Sequence, residues 1–310
     1  MKETLSALSN TNRLRMVLIL LRGPLNVSEI ARVLHLSQSN VSHHLRLMLD
    51  AGVVRRTIGG GWVYYRLDRA DEFTSALIDS IAAGRDKVES HQRDMEELGR
   101  CYLARRLASR EFFDSVAEDW DARSVLMPDP GEYIECIRGA LPREGTVLDA
   151  GCGGGDLLVR LSGSGIRLIG VDQSDEMLSA AGKRLSGAAG GETVELRLGN
   201  AEHLPVADSS VDGVIAHMVL HHLGEPFLFF MEAARVLRPG GTCVTVELIP
   251  HDDANLKALH GDLWPGLDRE EVTGWMTSAG FTIDGNSTCS GGRSYMITGR
   301  RIKRKSKEDR

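Results

Sequence analysis

Apolar positions recur with a helical period through the first fifty residues. Leu5 and Leu8 give a short first helix one apolar side, and Ser9-Asn10-Thr11-Asn12 interrupts it and supplies a cap for the next. Leu14, Val17, Leu18 and Leu21 then fall at i, i+3, i+4 and i+7, the stripe of a helix against a core, until Gly23-Pro24 ends it. A third helix is predicted over about Val27 to Leu34. Ser37 caps a fourth, Gln38 to Asp50, whose inward face is Val41, Leu45 and Met48. Val53 to Thr57 and Trp62 to Leu67 read as two strands around a glycine tip, Gly59-Gly60-Gly61. From Asp71 to about Arg110 the pattern is helical, with Ile81, Val88, Met95 and Tyr102 recurring every seven residues. Leu77, His91 and Leu98 take the complementary positions, and Gly84 breaks that row. Further on, apolar strands alternate with glycine turns and helical stretches: Thr146 to Leu148, Leu168 to Val171, Val211 to His217 and Thr242 to Leu248.

Two short helices joined by a tight turn make a helix-turn-helix, and a strand pair after it has the place of a wing. Outside its apolar stripe the fourth helix carries Gln38, Ser39, Asn40, Ser42, His43, His44 and Arg46. Such side chains donate and accept toward base edges and phosphates and contribute little to packing. His43 and His44, as helix neighbours, point in different directions, so a groove contact by one is favoured over chelation by both. Arg55 and Arg56 lie on the predicted wing. Charge sharpens this picture. The net of −6 divides into a head, residues 1–70, with ten Lys/Arg against four Asp/Glu, and a remainder with 27 against 39. A basic head on an acidic body suits a polyanion partner, the alternative being an unevenly charged solvated surface.

The head resembles the ArsR family of winged-helix repressors. The resemblance rests on Ala7-Leu8-Ser9-Asn10, Arg13-Leu14-Arg15, the run from Leu36 to Leu45 and Trp62-Val63-Tyr64-Tyr65-Arg66. It implies a homodimer that binds a palindromic double-stranded DNA operator, with Gln38, Ser39, Asn40, Ser42, His43, Arg46, Arg55 and Arg56 as the contact residues. Many members of that family sense metalloids through a Cys-x-Cys on the third helix. Here those positions are Asn26 and Ser28, poor ligands for soft metals. A winged helix used only for protein contacts is the other reading of the head. The helical segment 71–110 reads either as a dimer-forming connector or as a helix packed back on the C-terminal domain.

In the body, Asp149-Ala150-Gly151-Cys152-Gly153-Gly154-Gly155-Asp156 follows a strand and opens a helix. A dinucleotide fingerprint would want a third glycine at position 156, where Asp156 would repel a pyrophosphate. Asp149-x-Gly151-x-Gly153-x-Gly155 instead resembles motif I of the class I S-adenosylmethionine (SAM) methyltransferases, whose cofactor carries no phosphate. Asp172 stands 23 positions beyond Asp149 at the end of the next strand, near the spacing that presents a carboxylate to ribose hydroxyls. Leu198 to Pro205 resembles the later motif that faces the adenine, with Asn200 where an acid is usual. The resemblance implies S-adenosyl-L-methionine or S-adenosyl-L-homocysteine (SAH) as cofactor, held by Asp149, Gly151, Gly153, Gly155, Asp172, Gln173, Asn200, Ala201 and His217. Phe112, Phe113 and Trp120, in a segment from Glu111 to Ala122, are either part of a lid over the cofactor or plain core aromatics.

No catalytic residue is assigned. His221 and His222 read as structural or cofactor-fringe residues rather than a general base, and alignment accounts for much of methyl transfer from a sulfonium. No metal site is expected. Five scattered cysteines (Cys101, Cys136, Cys152, Cys243, Cys289) suit neither a disulfide frame nor a thiol cluster that would hold arsenic. Apolar runs too short to span a bilayer and the lack of a leader pattern lead to the expectation of a cytoplasmic protein without a membrane partner.

The expected fold is thus α/β. Residues 1–70 form a winged helix-turn-helix, 71–110 a helical connector, 111–300 a doubly wound, seven-stranded Rossmann-like methyltransferase sheet, and 301–310 a basic tail. Two functions remain open: a DNA-binding repressor whose body senses SAM or SAH, and a working small-molecule methyltransferase carrying a regulatory head.

Overall fold

The computed structural model describes residues 1–59, 62–123, 128, 130–251 and 259–303. Gly60 and Gly61 of the expected wing tip and most of the basic tail lie outside these residues. By contacts the chain forms two units, the first from Met1 to Arg106 and the second from Leu107 onward.

In the first unit, α1 (Lys2–Leu8), α2 (Thr11–Leu20), α3 (Val27–Leu34) and α4 (Gln38–Asp50) follow the predicted helices closely. The caps are those the sequence offers. Asn10 accepts from the Asn12 and Arg13 amides, Ser37 accepts from Asn40 N, and Asn26 with Glu29 closes a reciprocal capping box at the start of α3. A short strand not foreseen, β1 (Leu25–Asn26), adds to the hairpin of β2 (Val54–Gly59) and β3 (Trp62–Leu67) in the order β1-β3-β2. Leu5 departs from expectation: it is 49% exposed, while Thr4, Ala7 and Leu8 face inward. α2 is buried well beyond one stripe, Met16 to Leu20 all being inside, because other elements pack around it.

The connector is two helices, α5 (Glu72–Ala83) and α6 (His91–Val116), separated at Gly84 by a 3-10 turn. Its seven-residue seam is used internally. Of its residues Leu98 and Tyr102 are buried in the head's own core, beside Ile78, with Leu77, Ile81 and Met95 against it. Two ion pairs fix α6 there. Arg15 donates through Nε (2.6 Å) and Nη2 (2.7 Å) to Asp94, and Arg105 donates through Nε (2.8 Å) and Nη2 (2.6 Å) to Glu29. All four side chains are nearly buried, and bidentate geometry offsets the cost of desolvating them.

The second unit begins within α6, at Leu107. After α7 (Trp120–Arg123) and α8 (Ile134–Ala140), β4 (Thr146–Ala150), α9 (Asp156–Leu161), β5 (Arg167–Asp172), α10 (Asp175–Ser186), β6 (Val194–Leu198), β7 (Val211–His217), α11 (Pro226–Val236) and β8 (Leu237–Leu248) alternate strand with helix. α12 (Arg269–Ser278), β9 (Phe281–Cys289) and β10 (Ser294–Arg301) complete a seven-stranded sheet in the order β6-β5-β4-β7-β8-β10-β9. The first five strands are parallel, and β10 is antiparallel to both its neighbours. This is the doubly wound, Rossmann-like sheet expected. Strand order reverses at the β4–β7 junction, where the pairing Leu148↔Val214 sits opposite Leu148↔Ile169. Val147, Leu158, Leu168, Ile215, Val244 and Val246 form its core. β8 starts earlier than the expected Thr242, because Leu237 already pairs with Val211 before a register shift. Among the described residues no helix is long and apolar enough to cross a membrane.

Candidate functional site

Ligands of open α/β sheets bind beyond the carboxyl ends of the strands, at the point where strand order reverses. A cavity of about 570 Å³ lies there in the second unit. The turns after β4, β5, β6 and β7 each contribute to its wall: Asp149 and Gly151 to Gly154, Asp172 and Gln173, Gly199 to Ala201, and His217 to Val219. Eight of the nine residues expected to hold a cofactor therefore line one cavity.

The ninth, Gly155, does not line it. It takes φ of 80° at the start of α9, and a Cβ there would sit 3.0 Å from Ala181 Cβ, so it serves the approach of α9 to α10. Gly151, at φ 74°, has no room either, since a Cβ would come within 2.2 Å of Val219. Gly153 differs in having open space where a Cβ would be. Its amide donates to Asp172 Oδ2 at 2.9 Å, and Ser174 N donates to Oδ1 at 2.9 Å. The acid is thereby held rigidly, each oxygen keeping a lone pair for a hydroxyl. Burial pushes the Asp172 carboxyl up against the opposing pull of these backbone donors.

Asp149 is buried too. Among the described residues its Oδ1 has no hydrogen-bond partner, and burial, followed by the nearby Asp172, pushes its pKa up to about 7. His217 Nε2 is 2.5 Å from Tyr133 Oη, and burial lowers its pKa to about 4, so the ring is neutral. Gln173 Nε2 donates to Ser109 at 3.1 Å. Asn200 Oδ1, expected to accept from an adenine amino group, already accepts from Glu202 N at 2.7 Å. Its local turn commits one lone pair and leaves the second.

Phe113 and Trp120 line the cavity, whereas Phe112 packs on Gly261. Met177 and Arg184 of α10 and Met218 and Val219 after β7 also form its wall and were not foreseen. The rule that ligand groups follow strand ends points to Met218 and Val219, and Met177 and Arg184 stand seven positions apart on one helix face. Met218 takes φ of 51°, an unusual conformation for a residue with a side chain, fixed by its amide donating to Val246 O.

In the first unit Gln38, Ser39, Asn40, Ser42, His43 and Arg46 are all exposed on α4, as are Arg55 and Arg56 on β2. His44 is instead buried, its Nδ1 3.4 Å from Arg13 Nη1, and burial and that guanidinium lower its pKa. His35 ends α3 in the left-handed conformation.

Comparison with known proteins separates the same two parts. Residues 10–56 match the bacterial regulatory protein arsR family, and residues 148–245 match a methyltransferase domain family. A demethylmenaquinone methyltransferase of Symbiobacterium thermophilum is 33% identical over 147 residues, which cover 44% of this chain and 58% of that protein. An arsenite methyltransferase of Halobacterium salinarum is 40% identical over 107 residues, 34% of this chain and 27% of that protein. The chain spans about half the length of the curated relatives it matches. A SAM-dependent methyltransferase from Aquifex aeolicus has the same fold as the second unit, with TM-score 0.50 and 20% identity over 61% of this chain and 98% of that one.

Proposed function

Because the chain joins an ArsR-family helix-turn-helix to a SAM-type methyltransferase domain, we propose that it is a transcriptional repressor whose body senses SAM or SAH. The observation that carries this reading is the joint presence of an exposed polar face on α4 and a cavity bearing Asp172 and an open glycine turn. The head reads double-stranded DNA with Gln38, Ser39, Asn40, Ser42, His43 and Arg46 in the major groove, Arg55 and Arg56 taking phosphates. A palindromic operator bound by a homodimer follows from the family. The heptad seam is occupied internally, so a second copy would meet other surface, such as the exposed Leu5 and Leu103.

SAM carries a sulfonium and a methyl group where SAH has a neutral sulfur and empty space, so the wall from His217 to His222 can close differently around each. SAH is the ligand that loosens DNA. A ligand shifts DNA affinity only by its differential affinity for two states, typically about 1–3 kcal/mol, or roughly 5- to 150-fold. Calorimetric titration of SAM and of SAH, with and without the chain's own promoter DNA, tests this. Operator DNA is expected to weaken SAH binding by the same factor by which SAH weakens DNA binding. Equal SAH affinity in both conditions would remove the sensor reading.

The second reading, a working small-molecule methyltransferase, draws on the activities named for the relatives and on the aromatic wall of Phe113 and Trp120. Turnover with an acceptor would favour it.

A further inference from the structure

At the cavity wall and behind it the second unit holds a cluster of buried histidine and acid whose unpaired atoms the reading above leaves unexplained. His221 and His222 lie in the 3-10 turn Leu220–His222 after β7, and Asp262 precedes the buried Trp264. All three are buried, at 0%, 5% and 2% exposure. Asp262 Oδ1 is 3.7 Å from His221 Nε2 and 3.9 Å from His222 Nδ1, too far for hydrogen bonds. Among the described residues those two nitrogens and both Asp262 oxygens have no hydrogen-bond partner. Buried polar atoms are nearly always satisfied, so four that converge without a partner point to something that belongs between them.

The other side of His221 is fully engaged. Its Nδ1 is 2.5 Å from Glu247 Oε1, and its backbone N–H donates to Glu247 Oε2 at 3.2 Å. Glu247 is itself buried on β8. A carboxylate on the far nitrogen places the ring proton there and leaves the lone pair of Nε2 facing Asp262, which is how metal-ligating imidazoles are commonly held.

We propose that His221 Nε2, His222 Nδ1 and one oxygen of Asp262 form a binding site for a first-row divalent metal ion, zinc foremost, with Glu247 positioning His221. Two imidazoles and one carboxylate suit zinc, iron(II), cobalt(II) and nickel(II), whereas calcium and magnesium prefer all-oxygen sets. The candidate ligand atoms all lie within 4.8 Å of one another. Atoms sharing a tetrahedral ion at about 2.0–2.2 Å stand roughly 3.3–3.6 Å apart, so side-chain adjustments totalling up to about 1.2–1.5 Å across the widest pair complete the site. Three protein ligands leave a fourth position for water or a further group, and His251 Nε2 is 4.0 Å from the other Asp262 oxygen. The His222 ring forms part of the cofactor cavity wall and meets Phe113 edge to face at 4.8 Å, so the ion would brace that wall from behind.

The test uses full-length, tag-free protein freed of metal by a chelator and titrated with cobalt(II). One cobalt per chain is expected, with the visible absorption of a low-coordinate nitrogen and oxygen site, displaced by zinc. Asp262→Asn and His221→Ala should each weaken binding by more than about 100-fold, and Glu247→Gln by about 10- to 100-fold, with far-UV circular dichroism unchanged. X-ray absorption of the zinc-loaded parent, which needs no variant, should show histidine nitrogen and no sulfur. Failure of the parent to take up cobalt or zinc at micromolar concentration, uptake equal in the variants, or sulfur ligation would each overturn the site and leave a bare His221–Asp262 ion pair.

Discussion

The two units differ in how part of their buried charge is paired. In the head, Arg15 with Asp94 and Arg105 with Glu29 are buried and paired with two-point geometry. In the body, among the described residues, Asp149 leaves an oxygen unpaired on the cavity, and His221, His222 and Asp262 leave four atoms unpaired behind it. A satisfied buried charge holds elements together. An unsatisfied one is a standing cost that persists where a ligand repays it. The head therefore keeps its proposed DNA contacts outside, on α4 and β2, and the body keeps its proposed ligand contacts within.

The largest effect is expected at the head's scaffold. Asp94→Ala leaves Arg15 buried without its partner and should destabilise the first unit by about 3–5 kcal/mol, read from denaturant unfolding. A loss below about 1 kcal/mol would mean the pair is not structural and would break the comparison. Next, Asp172→Ala removes the proposed ribose acid and should cost cofactor binding about 2–4 kcal/mol by calorimetry, the range for charged hydrogen bonds. A variant that binds SAM and SAH like the parent would end that assignment.

A third outcome concerns charge that is meant to stay exposed. Replacing Arg55 and Arg56 together by Ala should weaken DNA binding on all sequences and flatten its salt dependence by roughly two units per head. Gel-shift titrations at several salt concentrations measure this, and an unchanged slope takes the wing out of the interface.

A pH-dependent effect sharpens the comparison at Asp149. Its folded pKa, about 7, lies above the ordinary carboxylate value of 3.8. Between these values the folded form holds a proton that the unfolded form has released, so this group makes stability fall as pH rises from about 4 to 7, with no further change above. Asp149→Asn should remove that slope in unfolding measured across the same range. A cationic ligand beside Asp149 would lower its pKa again, so SAM binding at pH 7 should release up to about half a proton, found by calorimetry in buffers of differing ionisation heat. Release of none would place the cofactor's positive groups away from Asp149.

Much of the fold was legible in local pattern. The limits of α4 could be set from Ser37 and the Val41, Leu45, Met48 stripe, because capping and helical period are short-range properties. The turn from Asp149 to Asp156 and the acid at Asp172 could be found because a parallel sheet repeats strand, turn and helix at a regular spacing, and its geometry then gathers the turns at one end.

What only the tertiary structure decided depends on which distant groups meet. The seven-residue seam of the connector fits any apolar partner equally, and packing assigned it to the head's own core. Gly155 fits a ligand-facing motif in sequence, yet it packs on Ala181, while Asn200 lines the cavity with one lone pair already engaged by its local turn. His221 and His222 are neighbours whose sequence says nothing of Glu247 or Asp262. Those acids reach them from the next strand and a later loop, and no period along the chain encodes a meeting made by the fold itself.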